Sequence, residues 1–261
     1  MDDDARRLLD WVDDRVEPAR HDQVEHWLTA HGWAPCGEGD WARAYRCPCG
    51  RLAARVSPFD PASEFTVRLY REGAGSPYLP RLDVHRALDG GGCLTVMEFL
   101  AAVELDEARR WYRRLHEATA DGDADLAAAS ELIDRVHREA KAELPWCGPL
   151  DDNPGNVMRK ASGQIAFVDP FYVRGLVLYD KALRAPQEVT ARIPRELRRH
   201  LLEIPAVLRE STPDEIERMR VGLAAADRIS GAGSAAPDRL SAEERAAAPG
   251  AASRDRPGRP R

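Results

Sequence analysis

The first 32 positions carry apolar residues at steps of three and four, a spacing that predicts amphipathic helices. The first predicted helix covers residues 2–17. Its apolar stripe consists of Leu8, Trp11, Val12 and Val16. The second covers about residues 21–31 and stops at Gly32, because glycine favours helix ends. We therefore expect residues 1–32 to form an N-terminal helical segment.

From residue 33 the pattern changes to short apolar runs separated by turn residues, which is typical of β-strands. Residues 33–57 predict strands joined by a turn, and residues 78–100 predict two more strands around a Gly-rich turn at 90–92. Between these segments, residues 60–73 return to helical spacing. We group residues 33–100 as one β-rich unit.

Helical spacing dominates the second half of the chain. Apolar positions predict helices over residues 106–118, 124–142, 194–209 and 213–226. Pro205 is expected to kink the third of these, and Thr212 and Glu215 form a capping box at the start of the fourth. Residues 101–228 thus form a helical unit. Residues 229–261 are rich in Ala, Gly, Pro, Ser and Arg without periodicity, and they predict a disordered tail.

Composition narrows the class of protein. The chain has 261 residues, enough for a sizeable core. It has no apolar run near the roughly 18 residues of a membrane span, and its start (MDDDARR) does not resemble a signal peptide. The net charge of −6 argues against a nucleic acid or an anionic membrane as a partner held by bulk charge. Five cysteines without a regular framework predict a reduced, cytoplasmic protein.

Neither the histidines nor the cysteines predict a metal site. His21, His26 and His31 fall five residues apart, and because five residues turn a helix through about 500°, they do not share a face. We predict surface or capping positions for them. Residues 47–50 (CPCG) lie between two predicted strands, and a zinc knuckle with Cys36 would lack a second ligand pair, so a plain turn is favoured.

The most informative stretch is residues 150–172, LDDNPGNVMRKASGQIAFVDPFY. It predicts a polar loop and a short hairpin whose second strand ends at Asp169, since the following Pro170 cannot extend a central ladder. A hairpin brings its two ends together, so Asn156 and Asp169 should face the same point. Oxygen ligands that converge on one point suit a hard cation such as Mg²⁺.

This stretch resembles the catalytic loop of protein kinases and of kinase-fold small-molecule phosphotransferases, including the aminoglycoside phosphotransferase and bacterial or phage kinase branches. Those families carry an Asp, four residues and an Asn, and later an Asp-Phe-Gly segment. Asp151 and Asn156 have that spacing, and Asp169-Pro170-Phe171 stands where Asp-Phe-Gly would be. The resemblance covers roughly residues 33–226. It implies an α+β, two-lobed protein kinase-like fold with a small β-rich N-lobe and a helical C-lobe.

The resemblance also implies a phosphotransferase that moves the γ-phosphoryl group of ATP to a hydroxyl, with a protein serine/threonine kinase as the favoured class. Asp151 would accept or orient the hydroxyl proton. Asn156 and Asp169 would hold Mg²⁺. The partners would be the nucleotide and a protein or small-molecule hydroxyl acceptor.

The β-rich unit carries the remaining nucleotide contacts that the resemblance implies. The backbone of Gly37, Gly39 and Ala42 would cover the phosphates, although a plain hairpin turn also accounts for these glycines. Arg55 stands where the family has a phosphate-binding Lys, and no lysine occurs in the first 140 residues. Arg55 would steady the phosphates with Glu64 as its partner. Alternatively, Glu64 is an acid favoured in a first helical turn by the helix dipole.

Residues 96–100 (VMEFL) resemble the hinge of the kinase fold. By that resemblance, the Glu98 carbonyl and the Leu100 amide would hydrogen-bond an adenine, and Met97 would be the gatekeeper. The apolar pattern alone predicts a buried strand that leads into a loop.

Two departures from the family pattern leave alternatives open. Arg55 replaces the Lys, and Pro149-Leu150 replaces the His-Arg or His-Gly that usually precedes the catalytic Asp. The alternatives are a small-molecule phosphotransferase, a pseudokinase that binds nucleotide or a partner protein, and a non-enzymatic interaction domain with a chance motif. Asp152 is the fallback base if the register is shifted by one residue.

Overall fold

The computed structural model describes residues 3–118, 122–173 and 175–234. Its strands are β1 (Ala34–Glu38), β2 (Arg43–Arg46), β3 (Leu52–Ser57), β4 (Leu82–Ala87), β5 (Cys93–Glu98), β6 (Ala101–Ala102), β7 (Cys147–Leu150), β8 (Val157–Arg159), β9 (Ile165–Phe167) and β10 (Phe171–Val173). Its helices are α1 (Asp3–Asp13), α2 (His21–Ala30), α3 (Ser63–Glu72), α4 (Leu105–His116), α5 (Ala124–Glu143), α6 (Gly175–Arg184), α7 (Pro186–Thr190), α8 (Pro205–Glu210) and α9 (Pro213–Ser234). The fold is mixed α+β, with a β-sheet part followed by a helical part, as predicted.

The β-rich part is a five-stranded antiparallel sheet in the order β1-β2-β3-β5-β4. Strand β3 is central, and its Arg55 lies opposite Thr95 of β5. Alternate residues of β3 are buried, which matches the alternation in its sequence. The strands predicted within residues 33–57 and 78–100 are confirmed, and α3 lies between them as predicted.

Helices α1 and α2 pack on one side of this sheet. Leu8 of α1 and Leu28 of α2 are fully buried in one core with Ala54 and Val96. Burial of one such leucine contributes roughly 1.5–3 kcal/mol relative to exposure, so the two helices add materially to the stability of the sheet. The first helix is shorter than predicted, because it ends at Asp13 and leaves Val16 exposed.

The helical part is built around α5, the longest predicted helix of the central region. Ile133 of α5 is buried against Leu69 of α3, Leu115 of α4 and Phe167 of β9. Through these contacts α5 connects the sheet part to the hairpin β8–β9. Within the described ranges, no helix combines the length and the apolar character needed to cross a membrane.

The C-terminal elements differ in part from the prediction. Pro205 does not kink a long helix. It opens the short helix α8, and residues 195–197 and 201–203 form single 3₁₀ turns before it. A proline at the first helical position loses no hydrogen bond, which explains why the helix starts there. The capping box is confirmed, with Glu215 accepting from Thr212 at 2.9 Å. Helix α9 continues to Ser234, and the rest of the predicted tail lies outside the described residues.

The cysteines depart from the fully reduced state that we expected. Cys47 and Cys49 form a disulfide across the turn between β2 and β3. The turn itself is confirmed, since the Gly50 amide donates to the Cys47 carbonyl at 2.9 Å. Cys36 is exposed, Cys147 is half-buried, and Cys93 is buried, where the loss of solvation raises the pKa of its thiol to about 12.

Candidate functional site

Two pairs of strands bring the polar residues of the predicted loop together. Strands β8 and β9 form the predicted hairpin, closed by a hydrogen bond from the Val168 amide to the Asn156 carbonyl at 2.8 Å. Strands β7 and β10 form a second ladder, and beside it the Asp151 amide donates to the Pro170 carbonyl at 2.9 Å. Asp151, Asn156 and Asp169 therefore lie side by side, and the approach of Asn156 to Asp169 is the one that the hairpin predicts.

The loop is held in shape by its own side chains. Asp151 Oδ1 accepts from the Asn153 amide at 3.0 Å, and Asn153 Oδ1 accepts from the Gly155 amide at 2.9 Å. The Asn156 Nδ2 group donates to Asp151 Oδ2 at 2.9 Å and to the Asp169 carbonyl at 3.2 Å. With its nitrogen used in this way, Asn156 offers its Oδ1 atom to a cation.

Asp169 has an unusual backbone conformation. Its φ angle is +46°, in the left-handed region that non-glycine residues rarely occupy. The Asp169 amide donates to the Tyr70 hydroxyl of α3 at 2.9 Å, and this bond helps to hold the conformation. Strained backbone of this kind is found preferentially at functional sites, where surrounding contacts maintain it.

Arg55 of β3 is the cation of the site. Its Nη2 atom lies 3.0 Å from Asp169 Oδ2, and its Nη1 atom lies 2.8 Å from Asp60 Oδ2. Asp60 belongs to the connection between β3 and α3, and only 6% of its side chain is exposed. Arg55 thus bridges two carboxylates and stands at the centre of the site.

The predicted Arg55–Glu64 pair is not formed. Of the described acidic residues, Asp60 and Asp169 are those that pair with Arg55, while Glu64 is exposed in the first turn of α3. The side chain of Asp60 is fixed because its Oδ1 atom accepts from the Ala62 amide at 3.0 Å. Asp60 precedes the helix and therefore reaches Arg55 from the loop, whereas Glu64 faces away from it.

Burial changes the titration of the two central acids. Loss of solvation raises the pKa of Asp151. The negative charges of Asp152 and Asp40 raise this pKa further, whereas the hydrogen bonds from Asn153 and Asn156 lower it. Loss of solvation also raises the pKa of Asp169, and the charge of Arg55 opposes it. The Asp169 side chain is 37% exposed through the open mouth of the site.

A cavity of about 940 Å³ contains these groups. One wall is the turn between β1 and β2, with Gly37, Gly39 and Ala42. The lining also includes Asp151, Asn156 and Asp169. The remaining predicted residues on its surface are Arg55, Met97, Glu98 and Leu100. Glu64 and the fallback base Asp152 are the predicted site residues that the lining does not include.

The turn between β1 and β2 is anchored to the helical part. The Asp40 carbonyl accepts from the Ala206 amide of α8 at 3.0 Å, and the Asp40 carboxylate accepts from Arg209 at 2.7 Å. Gly37 and Gly39 have φ angles outside the left-handed region, and a Cβ atom on either would make only ordinary contacts. The conformation of this turn therefore does not itself require glycine.

The residues expected as a hinge lie at the end of β5. Glu98 accepts from the Arg81 amide at 2.8 Å through its Oε1 atom, and the Lys160 ammonium lies 3.4 Å from the same atom. Lys160 also donates to the Leu79 carbonyl at 2.7 Å. These contacts tie the end of β5 to the hairpin β8–β9, so both sides of the cavity are fixed relative to each other.

Sequence reasoning missed two residues of the site. Asp60 was overlooked as a partner for Arg55, although the pair Asp60-Pro61 five residues later is a turn signal that places a carboxylate next to the strand end. The helical spacing of residues 60–73 does not indicate that the hydroxyl of Tyr70 would reach Asp169.

Comparison with known proteins gives little information. No protein-family model matches the chain, and no curated protein matches it. Among solved structures, the chain is similar to part of the CAK complex from Chaetomium thermophilum bound to ATP-gamma-S, with 17% identity and a TM-score of 0.36. The match covers 59% of this chain and spans half the length of the other. A likeness at this level carries no argument about activity.

Proposed function

We propose that the protein is a phosphotransferase that moves the γ-phosphoryl group of ATP to a hydroxyl. The observation that carries the proposal is the convergence of Asp151, Asn156, Asp169 and Arg55 at one end of one cavity. Asp151 and Asn156 lie in the loop between β7 and β8, whereas Asp169 follows β9 and Arg55 lies in β3. A purely structural loop has no need to gather them. Phosphoryl transfer requires such a set, because it depends on positioning and on compensation of charge.

Asn156 and Asp169 are the proposed Mg²⁺ ligands. The fit rests on the donor set, because an amide oxygen and a carboxylate are hard oxygen ligands and lie on opposite ends of one hairpin. Mg²⁺, when bound, compensates the charge of the β- and γ-phosphates. Asn156 keeps its oxygen available for this purpose because its nitrogen is committed to Asp151 and to the Asp169 carbonyl.

Asp151 is the proposed acceptor of the hydroxyl proton. Its carboxylate lies beside the proposed Mg²⁺ ligands and is held by hydrogen bonds from Asn153 and Asn156. Burial raises the pKa of Asp151, which makes it a better proton acceptor than an exposed aspartate. The adjacent Asp152 is exposed and makes no such contact with Asn156 among the described hydrogen bonds, so Asp151 is the preferred assignment.

Arg55 takes the place of the phosphate-binding lysine in this proposal. A guanidinium stays charged and can donate to several oxygens at once, so it can contact a phosphate while it remains paired with Asp60. The backbone of Gly37, Gly39 and Ala42 would cover the phosphates, and the Glu98 carbonyl and Leu100 amide would contact the base. Asp60 replaces Glu64 as the residue that positions Arg55.

Two observations favour related alternatives. Arg55 is paired with Asp169 in this structure, and a pair that persisted with nucleotide would keep Asp169 from Mg²⁺, as in a pseudokinase. Asp40 and Asp152 both act on Asp151 electrostatically, and this acidic end of the cavity would suit a cationic small-molecule acceptor. A protein serine/threonine acceptor remains our first choice.

The test is ATP turnover by the purified full chain with Mg²⁺, measured as autophosphorylation and as transfer to a generic protein and to supplied small alcohols or aminoglycosides. Asp151→Ala and Asp169→Ala should abolish turnover, while Asp152→Ala, the matched neighbour, should retain most of it. An Mg²⁺-dependent thermal shift with ATP but no turnover would support the pseudokinase. The absence of both would overturn the proposal, and loss in Asp152→Ala alone would shift the base by one residue.

A further inference from the structure

A second cluster of ionisable side chains lies outside the cavity. His21 at the start of α2, Asp89 in the turn between β4 and β5, and His200 and Glu203 before α8 come together there. Glu203 faces both histidines, with Oε2 3.3 Å from His21 Nε2 and Oε1 2.8 Å from His200 Nδ1. We expected a surface or capping position for His21, but the residue is buried, with 5% of it exposed.

The spacing of the three groups suits a tetrahedral metal ion. His21, His200 and Glu203 each offer a ligand atom, and these atoms lie within 4.8 Å of one another. Ligands bound at about 2.0–2.2 Å in a tetrahedral shell are roughly 3.3 Å apart. The two observed contacts use different Glu203 oxygens, with Oε2 3.3 Å from His21 Nε2 and Oε1 2.8 Å from His200 Nδ1. The exposed carboxylate would therefore have to turn slightly to bring one oxygen to this distance from both nitrogens.

Asp89 supplies the outer contact that a metal-binding histidine needs. Its Oδ2 atom lies 3.1 Å from His200 Nε2, on the side of the ring away from Glu203. An Nε2–H group that donates to Asp89 leaves the lone pair on Nδ1, facing Glu203 and His21. Histidine ligands in proteins usually have such a carboxylate partner, which fixes the tautomer and the ring orientation.

The burial of the two histidines also favours a metal ion at this cluster. His200 is 2% exposed and sits where the turn at Gly90 approaches it closely, since a Cβ atom on Gly90 would meet the His200 ring at 2.4 Å. The other ring nitrogen of His21, Nδ1, is buried without a hydrogen-bond partner in the described part of the chain. Nδ1 lies on the ring apart from the Nε2 atom that faces Glu203, so this buried atom does not itself point to the ion, and Nε2 is the atom offered as a ligand.

Two arginines lie beside the cluster, and their positive charges would oppose a metal ion unless other carboxylates neutralise them. Arg20 lies 3.6 Å from Glu203 Oε2, but it also donates to the two Asp22 oxygens at 3.1 and 3.3 Å, so it has another partner when Glu203 turns to a metal. Arg199 pairs with Asp89 at 2.7 Å and lies on the outer side of the cluster. The Glu203 side chain is 41% exposed, which leaves an entry path.

We propose that His21, His200 and Glu203 bind Zn²⁺ or a similar divalent transition metal, with water as the fourth ligand and Asp89 as the outer partner of His200. Two imidazoles and one carboxylate are a ligand set that suits zinc. The ion would clamp the start of α2 to the segment before α8. This site is separate from the proposed phosphotransferase site and does not depend on it.

The experiment uses the full chain, stripped with a chelator and then given Zn²⁺ alone. After gel filtration we expect about one zinc per chain and a rise in Tm of several degrees, because a ligand that binds only the folded state stabilises it. His200→Gln and Glu203→Gln should lose both effects. His26→Gln, an exposed histidine on the same helix, should keep both.

A cobalt spectrum distinguishes this site from the second group that could hold an ion, Asp4 with Cys47 and Cys49. The Cys47–Cys49 disulfide has to be reduced before those sulfurs can bind a metal. Co²⁺ at the proposed site should give tetrahedral bands without a thiolate charge-transfer band. No bound zinc, zinc retained in both Glu203→Gln and His200→Gln, or a thiolate band alone would each overturn the proposal. Glu203→Gln keeps the size of an exposed side chain, so it should fold even if a histidine variant does not.

Discussion

Arg55 and Asp169 form an ion pair at 3.0 Å although 114 residues separate them in the chain. The pair joins the central strand of the sheet to the end of the hairpin β8–β9. Because Asp60 shares the same guanidinium, the removal of Arg55 would leave two carboxylates facing each other in a largely enclosed place. Arg55 is therefore both a residue that stabilises the fold and the candidate phosphate-binding residue of the proposed reaction.

Arg55→Met should therefore destabilise the fold by about 3 kcal/mol, the lower part of the range for breaking a buried pair, because Asp169 is partly exposed. Arg55→Lys should lower the free energy of unfolding by a smaller amount, since it keeps the positive charge. Denaturant titration measures the free energy of unfolding of both variants. Arg71→Met, at an exposed arginine at the end of α3, is the control and should change the free energy of unfolding by less than about 0.5 kcal/mol. Equal effects at the two positions would show that the ion pair contributes nothing.

Asp60→Asn and Glu64→Gln form a matched pair that tests which acid positions Arg55. We expect Asp60→Asn to lower stability by about 1–3 kcal/mol and to raise the KM for ATP if the protein is a phosphotransferase, because the guanidinium loses a charged partner. Glu64→Gln should leave both quantities unchanged. A larger effect at Glu64 would mean that Arg55 exchanges partners when nucleotide binds.

The contrast between these acids shows what the sequence could and could not predict. The hairpin was predictable because Val157, Phe167 and the turn at Gly163 form a local pattern, and the approach of Asn156 to Asp169 follows from it. The partner of Arg55 was not predictable in this way. It depends on how the connection at Asp60 enters α3, and a helical pattern alone does not fix that geometry.

The histidines illustrate a second limit. The spacing argument predicted correctly that His21 does not share a helix face with His26 and His31, because that argument concerns residues on one helix. It said nothing about His200, which reaches His21 from the other end of the chain. Contacts between distant segments depend on packing, so periodicity can predict which residues share a face but not what that face meets.

Tyr70→Phe should destabilise the protein by about 1–2 kcal/mol, since the Asp169 amide would lose its acceptor in a position poorly reached by water. Tyr70 is buried, and the phenyl ring keeps the packing, so the effect isolates the hydrogen bond. Denaturant titration gives the change in stability, and a thermal shift with Mg²⁺ and ATP shows whether the proposed site has also loosened. Tyr45→Phe is the comparison, because Tyr45 is a buried tyrosine of β2 whose hydroxyl pairs with Glu25 and not with the site. No loss in Tyr70→Phe would indicate that the backbone at Asp169 needs no such support.

The pKa of Asp151 predicts how stability depends on pH. Burial raises this pKa in the folded state, so the folded chain binds the proton more tightly than the unfolded chain does. The contribution of Asp151 to stability therefore falls as the pH rises through the folded pKa. Relative to Asp151→Asn, which cannot titrate, the native protein should gain stability as the pH is lowered from 7 towards 4. Urea titrations of both proteins at several pH values measure the difference, and a gain in the opposite direction would contradict the assigned cause.

Cys36 offers a chemical report on the occupation of the cavity. It lies on β1 at the cavity surface, and its thiol is free, as are those of Cys93 and Cys147. Under native conditions a maleimide should modify Cys36 fastest, because Cys93 is buried and Cys147 is half-buried. Loss of solvation raises the pKa of the Cys36 thiol, which lowers the fraction present as reactive thiolate. Mass spectrometry follows the modification.

Mg²⁺ and ATP should then slow the modification of Cys36 several-fold while leaving the rate at Cys147 unchanged, because a nucleotide in the cavity covers β1. Asp169→Ala should remove the protection by weakening the proposed Mg²⁺ site, whereas Asp152→Ala should retain it. This measurement needs no acceptor substrate, so it tests nucleotide binding even if turnover is absent. Protection that survives in Asp169→Ala would place the nucleotide elsewhere or show that it binds without Mg²⁺, and no protection at all would exclude nucleotide binding beside β1.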